Sequence, residues 1–336
     1  MKRDRILLAH GGGGSLTREL ITEVFVPEFQ NPVLKPLEDS AVLVMNGKGY
    51  AFTTDSYVVK PYFFPGGDIG KLAVCGTVND LAMQGAQPYW LSLGFILEEG
   101  LSLADLRRIV RSIGETARTA CVEIVTGDTK VVERGKCEGL YINTAGLGRI
   151  LTPNWWGAAA VKDGDAILLN GSLGEHGIAV LSQREGIAFS SQVVSDCAAL
   201  WPLVKAIQDT GVEIHAMRDL TRGGLAAAVC DIAENSETGI RIDEATLPIG
   251  REVQGACDLL GLDPLTIANE GKCIVFCPGP ESGRVLAAMK QHPLGHETRI
   301  IGNVSSSPKG LAVLRTTIGG ERIIDMPTGE DLPRIC

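Results

Sequence analysis

The spacing of apolar residues changes period repeatedly along the first 150 residues, which predicts strands interleaved with helices. Two apolar runs flank Asn46-Gly47-Lys48-Gly49 and predict a β-hairpin. Asp68 precedes an apolar segment and is a predicted N-cap for a helix that runs to about Gln84. Ser102 caps a second, amphipathic helix over residues 103–120. The predicted strands of this half are residues 41–45, 50–54, 91–97, 122–126 and 140–147.

Residues beyond 152 repeat this alternation, and we assign them to a second domain. Turn residues cluster at Thr152-Pro153-Asn154 and at Lys162-Asp163-Gly164-Asp165, where we expect the junction. The prediction is an α+β domain over 1–152, an α/β domain over 153–324 and a tail over 325–336. The predicted elements of the second domain are strands at 166–170, 213–217 and 273–277 and helices at 177–184, 198–210, 222–235, 251–260 and 281–292.

The composition indicates a globular protein with an acidic surface. Of its 336 residues 45% are hydrophobic and 21% are charged, and the net charge is −9. Nucleic acids and anionic membranes attract basic surfaces, so we expect neither as the main partner. No apolar run approaches the length of a membrane span, and the run at residues 6–9 is too short for the core of a signal peptide. We therefore expect a cytoplasmic protein.

Nine cysteines are spread along the chain without a C-x-x-C pair, which gives no sign of a zinc or redox site. Cys273 and Cys277 lie on one face of a predicted strand, and packing is favoured over metal binding because two thiols seldom complete a ligand set. Cys336 differs because it ends the chain. Prenylation needs three residues after the cysteine, so this thiol either lacks a function or takes part in chemistry.

A run of glycines from Gly11 to Gly14 lies between His10 and Ser15, ahead of an apolar segment. Its backbone amides could turn inward around a phosphate, and a flexible N-terminal arm is the alternative interpretation. The run is not a Walker loop. The segment from Gly66 to Lys71 is one residue short of the Walker spacing.

Five aspartates suggest a site for a metal and a polyphosphate. Asp80 lies inside a predicted helix, on a face of small residues, and the other four lie where the chain turns out of an element. Taken singly, each aspartate is more typical of a cap or a turn. As a set, their hard oxygens suit Mg²⁺ held against a nucleotide. The four at turns are Asp39, Asp55, Asp128 and Asp219.

Several motifs along the chain are distinctive, and the terminal Pro333-Arg334-Ile335-Cys336 is the most specific. The others are Ala9-His10-Gly11-Gly12-Gly13, Thr54-Asp55-Ser56-Tyr57, Phe63-Phe64-Pro65-Gly66-Gly67, the segments 94–100 and 125–131, and Ala268-Asn269-Glu270-Gly271-Lys272. These motifs resemble those of the superfamily of aminoimidazole ribonucleotide synthetase, selenophosphate synthetase and thiamine-monophosphate kinase, whose members bind ATP through aspartate clusters. Within it, the chain is similar over essentially its whole length to the hydrogenase maturation carbamoyl dehydratases.

The resemblance implies a two-domain fold of the aminoimidazole ribonucleotide synthetase type, with a mixed N-terminal sheet, a flexible tail and a homodimer formed through the first domain. It implies that a carbamoyltransferase loads a carbamoyl group onto Cys336 and that ATP drives its dehydration to a thiocyanate. An iron-carrying maturation scaffold would then accept the cyano group, which becomes a ligand of the iron in nickel–iron hydrogenase. The residues assigned to Mg²⁺ are Asp39, Asp55, Asp80 and Asp219. Those assigned to the nucleotide are Gly11, Gly12, Gly13, Gly14, Asp55, Asn79, Asp80, Asp128, Thr129, Lys130, Asp219, Gly223 and Gly224.

For the reaction, we expect the oxygen of the loaded Cys336 to attack the γ-phosphate of ATP, and phosphate to leave as the N–H protons are removed. Glu270 is the first candidate for the base and His10 the second, although Glu270-Gly271-Lys272 also suits an ordinary turn. Lys130 would hold phosphate or orient the carbamoyl group. Two rivals remain: selenophosphate synthesis, which resembles an N-terminal cysteine chemistry, and a nucleotide-gated scaffold that uses the tail as a docking peptide.

Overall fold

The chain forms two large mixed sheets, each covered by helices, and the computed structural model describes residues 5–29, 31–186, 193–329, 332 and 334–336. The strands are β1 (Ala41–Met45), β2 (Lys48–Tyr57), β3 (Phe63–Phe64), β4 (Gly67–Asp68), β5 (Ala86–Glu98), β6 (Glu123–Val132), β7 (Leu140–Ile150), β8 (Asp165–Leu169), β9 (Ala216–Asp219), β10 (Gly239–Asp243), β11 (Cys273–Pro278), β12 (Arg299–Ser305), β13 (Ala312–Arg315) and β14 (Glu321–Ile324). The α-helices are α1 (Ser15–Leu20), α2 (Val26–Phe29), α3 (Ile69–Met83), α4 (Leu103–Thr119), α5 (Glu175–Glu185), α6 (Trp201–Gln208), α7 (Gly224–Ser236), α8 (Arg251–Leu260) and α9 (Ser282–Gln291).

The first sheet contains the predicted hairpin and has the strand order β1-β2-β7-β5-β6. Strands β5 and β6 run parallel, and the other neighbours run antiparallel, so the sheet is mixed as expected. Asn46 and Gly47 have φ values of 52° and 72°, the left-handed region that a tight turn between Met45 and Lys48 requires. The short turn fixes the register of the first two strands.

Helix α3 packs on this sheet, and α4 packs against α3 and β6. The carboxylate of Asp68 accepts hydrogen bonds from the amides of Gly70 and Lys71, which confirms it as the N-cap of α3. Nearly all side chains of α3 are buried, because the helix contacts the sheet, α4 and elements of the second half of the chain. Helix α4 is amphipathic, and its buried residues Ile109 and Ile113 are one turn apart. Helix α3 is thus the central helix of the molecule.

The second sheet has the order β14-β13-β10-β12-β8-β11-β9 and is almost entirely buried at its centre. Helices cover both faces, with α5, α6 and α9 on one side and α7 on the other. Along β11, Cys273, Val275 and Cys277 face the first set, whereas Ile274 and Phe276 face α7. The two cysteines therefore pack in the core, as the alternation predicted.

The two halves share one hydrophobic core. A single cluster of buried residues runs from Tyr57 and Val78 in the first half to Leu203 and Val275 in the second. The segment between β7 and β8, residues 151–164, contains the predicted junction at 152/153. The domain boundaries themselves remain predictions, because this continuous core gives no sharper division.

Two strands extend through positions predicted as turns. Strand β6 continues through Gly127 and Asp128 to Val132, and Asp55 lies inside β2 instead of following it. Glycine and aspartate are unfavourable in isolated strands, but pairing with β5 and β7 outweighs that local preference here. The predicted strand at 213–217 lies instead at Ala216–Asp219, so Asp219 ends a strand as expected.

The end of the chain lies against the body of the protein. The amide of Val58 donates to the carbonyl oxygen of Cys336 at 3.0 Å, and that of Lys60 donates to Arg334 O at 3.4 Å. Ile335 is buried and Cys336 is half-buried. The structure thus gives the tail one docked position, and its mobility remains a prediction. In the part of the chain described, no helix combines the length and apolar character needed to cross a membrane.

Candidate active site

Four predicted aspartates converge where the two halves of the chain meet. Asp39 precedes β1, Asp55 lies on β2, Asp80 lies near the end of α3 and Asp219 ends β9. Burial raises the pKa of Asp80 well above its usual value, and the negative charges of Asp219, Asp55 and Asp39 raise it further. The pKa of Asp219 is raised in the same way, by burial and then by Asp39. The site therefore concentrates carboxyl groups that oppose one another's ionisation.

One buried cation, Arg218, compensates part of the negative charge of these groups. Arg218 Nη1 lies 2.5 Å from Asp39 Oδ1, and Arg218 Nη2 lies 3.1 Å from Glu38 Oε2. Thr53 Oγ1 lies 2.8 Å from Asp80 Oδ2. These contacts hold one oxygen of Asp39 and one of Asp80, and they fix the two side chains.

Other carboxylate oxygens are left without a partner. Asp39 Oδ2, Asp219 Oδ2 and Glu270 Oε1 are buried, and the described residues offer none of them a hydrogen bond. A buried carboxylate without a partner is unstable unless it is protonated or meets a cation. Such hard oxygens fit Mg²⁺. Within the described ranges no three acidic, histidine or cysteine side chains converge closely enough to hold a metal alone, so phosphate or water oxygens would have to complete the ligand set.

The glycine run packs against the start of α7. Gly223 has a φ of 79° and is the N-cap of that 13-residue helix, and Gly13 has a φ of 75°. A Cβ on Gly13 would lie 2.7 Å from Arg222 Cβ, so this contact requires glycine. Arg222 Nη1 donates to Gly11 O at 2.9 Å. The run is therefore a packed segment in this structure, which argues against the flexible-arm interpretation.

Glu270 is held by its backbone, while its side chain faces the acidic cluster. The amide of Glu270 donates to Asp196 Oδ1 at 3.1 Å, and Asn79 Nδ2 donates to Glu270 O at 3.3 Å. Burial raises the pKa of Glu270 well above its usual value, and Asp219 adds to the effect. A buried, charge-coupled carboxyl differs from an ordinary exposed turn residue. Asn79, predicted to bind the nucleotide, also holds Ala198 O and the Leu200 amide, so its amide is occupied in joining α3 to the second half.

The ring of His10 is buried, and one of its two nitrogens has a hydrogen-bond partner among the described residues. Its Nδ1 accepts from the amide of Leu7 at 2.9 Å, the shorter of its two contacts with that residue. That bond places the proton on Nε2, which is buried and finds no partner in the described part of the chain. In this arrangement Nε2 is a donor, so His10 could act as a base only in the other tautomer, with Nδ1 donating to Leu7 O at 3.3 Å.

Asp128, Thr129 and Lys130 lie apart from the cluster. They belong to β6, at the outer edge of the sheet. Following the paired positions across the sheet, Asp128 on β6 is in register with Ser56 on β2, with β5 and β7 between them. Three strand spacings separate these two positions, about 14 Å. Lys130 Nζ pairs with Asp128 Oδ2 at 2.6 Å, and both side chains are exposed. Within one chain, the structure does not bring these three residues to the other predicted site residues.

Comparison with known proteins identifies the family. The models for AIR synthase related proteins match residues 37–150 with the N-terminal domain and residues 162–314 with the C-terminal domain. A carbamoyl dehydratase HypE from Rhodobacter capsulatus is 49% identical over 338 residues, covering 100% of this chain and 99% of that protein. The chain belongs to the HypE family of carbamoyl dehydratases.

Solved HypE structures superpose on the whole fold. A hydrogenase maturation protein HypE in complex with ATP has a TM-score of 0.83 at 46% identity, covering 99% of this chain and 100% of that one. A HypE–HypF complex gives a TM-score of 0.87 at 44% identity, covering 92% and 99%. These matches confirm the predicted resemblance, the two-domain fold of the AIR synthase type and the expectation of an enzyme.

The candidate site also includes residues that the sequence analysis did not single out. Arg218, Thr53 and Asp196 each contact a predicted site residue, and His176 contacts the tail. Arg218 is adjacent to Asp219, so its charge was a usable signal. The partner of Asp196 is 74 positions away and that of His176 is 159 positions away, so nothing local marked them.

Proposed function

We propose that this chain is an ATP-dependent carbamoyl dehydratase that converts a carbamoyl group on Cys336 into a thiocyanate, the source of a cyanide ligand for the iron of nickel–iron hydrogenase. The position of the terminal segment carries the proposal. Leu332 and Ile335 line one small cavity together with Gly12, Gly223 and Ala268. The tail therefore reaches both the glycine run and the segment that leads into Glu270, as a reaction in cis on Cys336 requires.

Several features support ATP as the second substrate. A HypE relative was crystallised with ATP. The N-terminus of α7 offers phosphate a favourable helix dipole, and the glycine run lies against it. Arg222 connects the glycine run to the acidic cluster. It donates a hydrogen bond to Gly11 O, and its positive charge partly offsets the rise that burial causes in the pKa values of Asp55 and Asp219. We assign the triphosphate to residues 11–14, Gly223 and Gly224.

Mg²⁺ fits the acidic cluster because buried carboxylate oxygens there have no partner among the described residues. Asp55, Asp80 and Asp219 would hold it, with Asp39 contributing the oxygen that Arg218 does not contact. When bound, the ion supplies positive charge against the phosphoryl oxygens.

The chemistry divides into two steps. The thiocarbamate oxygen on Cys336 attacks the γ-phosphorus, ADP leaves, and one N–H proton is lost as a C=N bond forms. Loss of the second N–H proton and of phosphate then gives the S–C≡N group. Glu270 is our first candidate for the base, since a carboxyl with a raised pKa matches a weakly acidic N–H better than an ordinary carboxylate does. His10 is the second.

Mass spectrometry of the chain tests the proposal. After loading with a carbamoyl donor and its transferase, peptides with Cys336 should gain one carbamoyl mass, and ATP should then remove the mass of one water. Cys336→Ser should show neither change at the tail. A loaded Cys336 that never loses water on adding ATP would refute the dehydratase assignment.

The partners follow from the same scheme. A carbamoyltransferase would load Cys336, in agreement with the HypE–HypF complex of a relative, and an iron-carrying scaffold would accept the cyano group. Both require the tail to leave its docked position. We place the protein in the cytoplasm, where its nine cysteines would stay reduced as thiols.

A homodimer is part of the proposal. The outer strand β6 and the first sheet expose large apolar side chains, among them Phe52, Trp90, Val125 and Val131. A second copy on this surface would cover them. It would also give Lys130, Thr129 and Asp128 a route to a nucleotide bound by the other chain, which they lack within their own.

The two rivals receive less support. Selenophosphate synthesis resembles an N-terminal cysteine chemistry, whereas the first cysteine here, Cys75, is buried in α3. A scaffold that only docks its tail would keep its ATP turnover in Cys336→Ala. The dehydratase would lose product-forming hydrolysis in that variant.

A further inference from the structure

A buried histidine outside the acidic cluster joins the terminal segment to the second domain. His176 lies in the first turn of α5 and is inaccessible to solvent. Its Nε2 lies 2.7 Å from Ile335 O, and its Nδ1 lies 2.8 Å from Ser195 Oγ. The ring meets Phe64 edge-on with centroids 5.3 Å apart. The chemistry proposed above uses none of these contacts.

The two partners fix the tautomer of His176. A carbonyl oxygen only accepts, so Nε2 carries the proton and donates to Ile335. Nδ1 then accepts from the hydroxyl of Ser195, whose Oγ accepts from the amide of Cys197 at 3.2 Å. The hydrogen bonds therefore run in one direction, from Cys197 through Ser195 and His176 to the tail.

Asp196, the residue after Ser195, hydrogen-bonds the backbone of Glu270, the candidate base. The carboxylate of Asp196 accepts from the amides of Glu270 and Gly271, each at 3.1 Å. Lys272 Nζ lies 3.4 Å from Asp196 Oδ2 and compensates its charge. Ser195 and Asp196 thus connect the docked tail to the backbone of Glu270 over two consecutive residues.

Three successive carbonyl oxygens of the tail are held in this position. Arg184 Nη2 donates to Arg334 O at 2.5 Å, His176 holds Ile335 O, and the Val58 amide holds Cys336 O. Of these three donors, His176 is the one whose other partner leads to Glu270. His176 therefore links the position of Ile335 in the tail to the position of Glu270.

We propose that His176 is a positioning residue that fixes the docked tail and, through Ser195 and Asp196, aligns Cys336 with Glu270. Its effect on dehydration rests on the proposed function. Its effect on the docking of the tail does not, so the two are measured separately.

Alkylation of Cys336 measures docking without any turnover. His176→Phe retains a ring beside Phe64 but cannot donate to Ile335, and His176→Gln restores an N–H donor. In the full-length protein, iodoacetamide should label Cys336 of His176→Phe about 5- to 30-fold faster than wild type, the loss expected for one buried hydrogen bond. Cys121, which is exposed, is the internal reference and should be labelled at an unchanged rate. His176→Gln should stay close to wild type.

Single-turnover dehydration measures alignment. With Cys336 already carbamoylated, His176→Phe should dehydrate it about 5- to 30-fold more slowly at saturating ATP, with an unchanged KM for ATP. Loading by the transferase should be as fast as in wild type or faster, because an undocked tail is easier to reach. A residue that only supports the fold would lower loading and dehydration together.

An unchanged labelling rate at Cys336 in His176→Phe would overturn the proposal. So would equal acceleration at Cys336 and Cys121, which would indicate a general loosening of the fold. If the tail undocks as expected but wild type shows no dehydration, the proposed function fails while the role of His176 in docking stands.

Discussion

At the scale of single residues, the site holds more negative charge than its own cations neutralise. Arg218 pairs with Glu38 and Asp39, but Asp219 Oδ2 and Glu270 Oε1 remain without a partner among the described residues. Their pKa values are raised by burial and by neighbouring carboxylates. The ligand-free protein therefore loses folding free energy when these groups ionise.

Asp219→Asn should stabilise the ligand-free protein at neutral and higher pH. The pKa of Asp219 is raised in the folded state, so its contribution is retained below its usual pKa of 3.8 and is lost as pH rises through the folded value. We expect the variant to gain about 1–3 kcal/mol in the free energy of unfolding at pH 8, and little at the acid end of the range. Urea unfolding over a pH series measures this. Asp163→Asn, on the exposed surface, is the control, and an identical pH dependence for wild type and Asp219→Asn would contradict the argument.

Residue type alone predicted part of this site. Aspartates at turns and in a small-faced helix indicated the cluster, because several hard carboxylate oxygens taken as a set suit Mg²⁺ and a polyphosphate. Asp196 and His176 could not be predicted, since their partners are distant in sequence and their side chains have no local role. The position of Lys130 could not be predicted either, because the strand order of the sheet, which places β6 at its outer edge, is not encoded locally.

At the scale of elements, local signals worked where they controlled the local structure. The hairpin turn and both helix caps lie as predicted, because a cap or a left-handed turn is decided within a few residues. Asp55 and Asp128 were expected at strand ends, but long-range pairing carries β2 and β6 past them. Pairing partners that are distant in sequence outweigh the preference of aspartate for turns.

Removal of the α3 cap tests how strongly this helix supports the site. Asp68→Ala deletes the acceptor for two amides, at 2.8 Å and 3.0 Å. We expect a loss of about 1 kcal/mol in the free energy of unfolding, measured in urea, with little change in dehydration well below the melting temperature. Ser102→Ala in α4, whose cap accepts one longer bond at 3.3 Å, should cost less. A larger loss for Ser102→Ala would contradict this ranking.

At the scale of the molecule, one continuous core joins the halves, and the site lies along that junction. Asp80 and Asn79 come from α3, Asp219 from β9 and Glu270 from the loop before β11. The tail contacts both halves, through Val58 in the first and His176 in the second. The geometry of a site at such a junction depends on the contacts that hold the two halves together. One of these contacts is the hydrogen bond from Asn79 on α3 to Glu270 O.

The outer strand of the first sheet gives the last prediction. Val125 is 58% exposed on β6, an edge that a second copy could cover. Val125→Asp should therefore shift the protein from dimer to monomer in analytical ultracentrifugation, because a buried charge at the interface would be uncompensated. Leu259→Asp places the same charge on α8, at a side chain 75% exposed, and should leave the mass unchanged.

The same pair of variants distinguishes a structural dimer from a catalytic one. If Lys130 acts on a nucleotide held by the other chain, Val125→Asp should slow dehydration of carbamoylated Cys336 about 10-fold or more, the scale of one lost charge contact in a transition state. Alkylation of Cys336 should not change, because the hydrogen bonds that hold the docked tail are formed within its own chain. A monomeric Val125→Asp with full activity would show that Lys130 is dispensable across the interface, and a monomeric wild type would remove the dimer from the scheme.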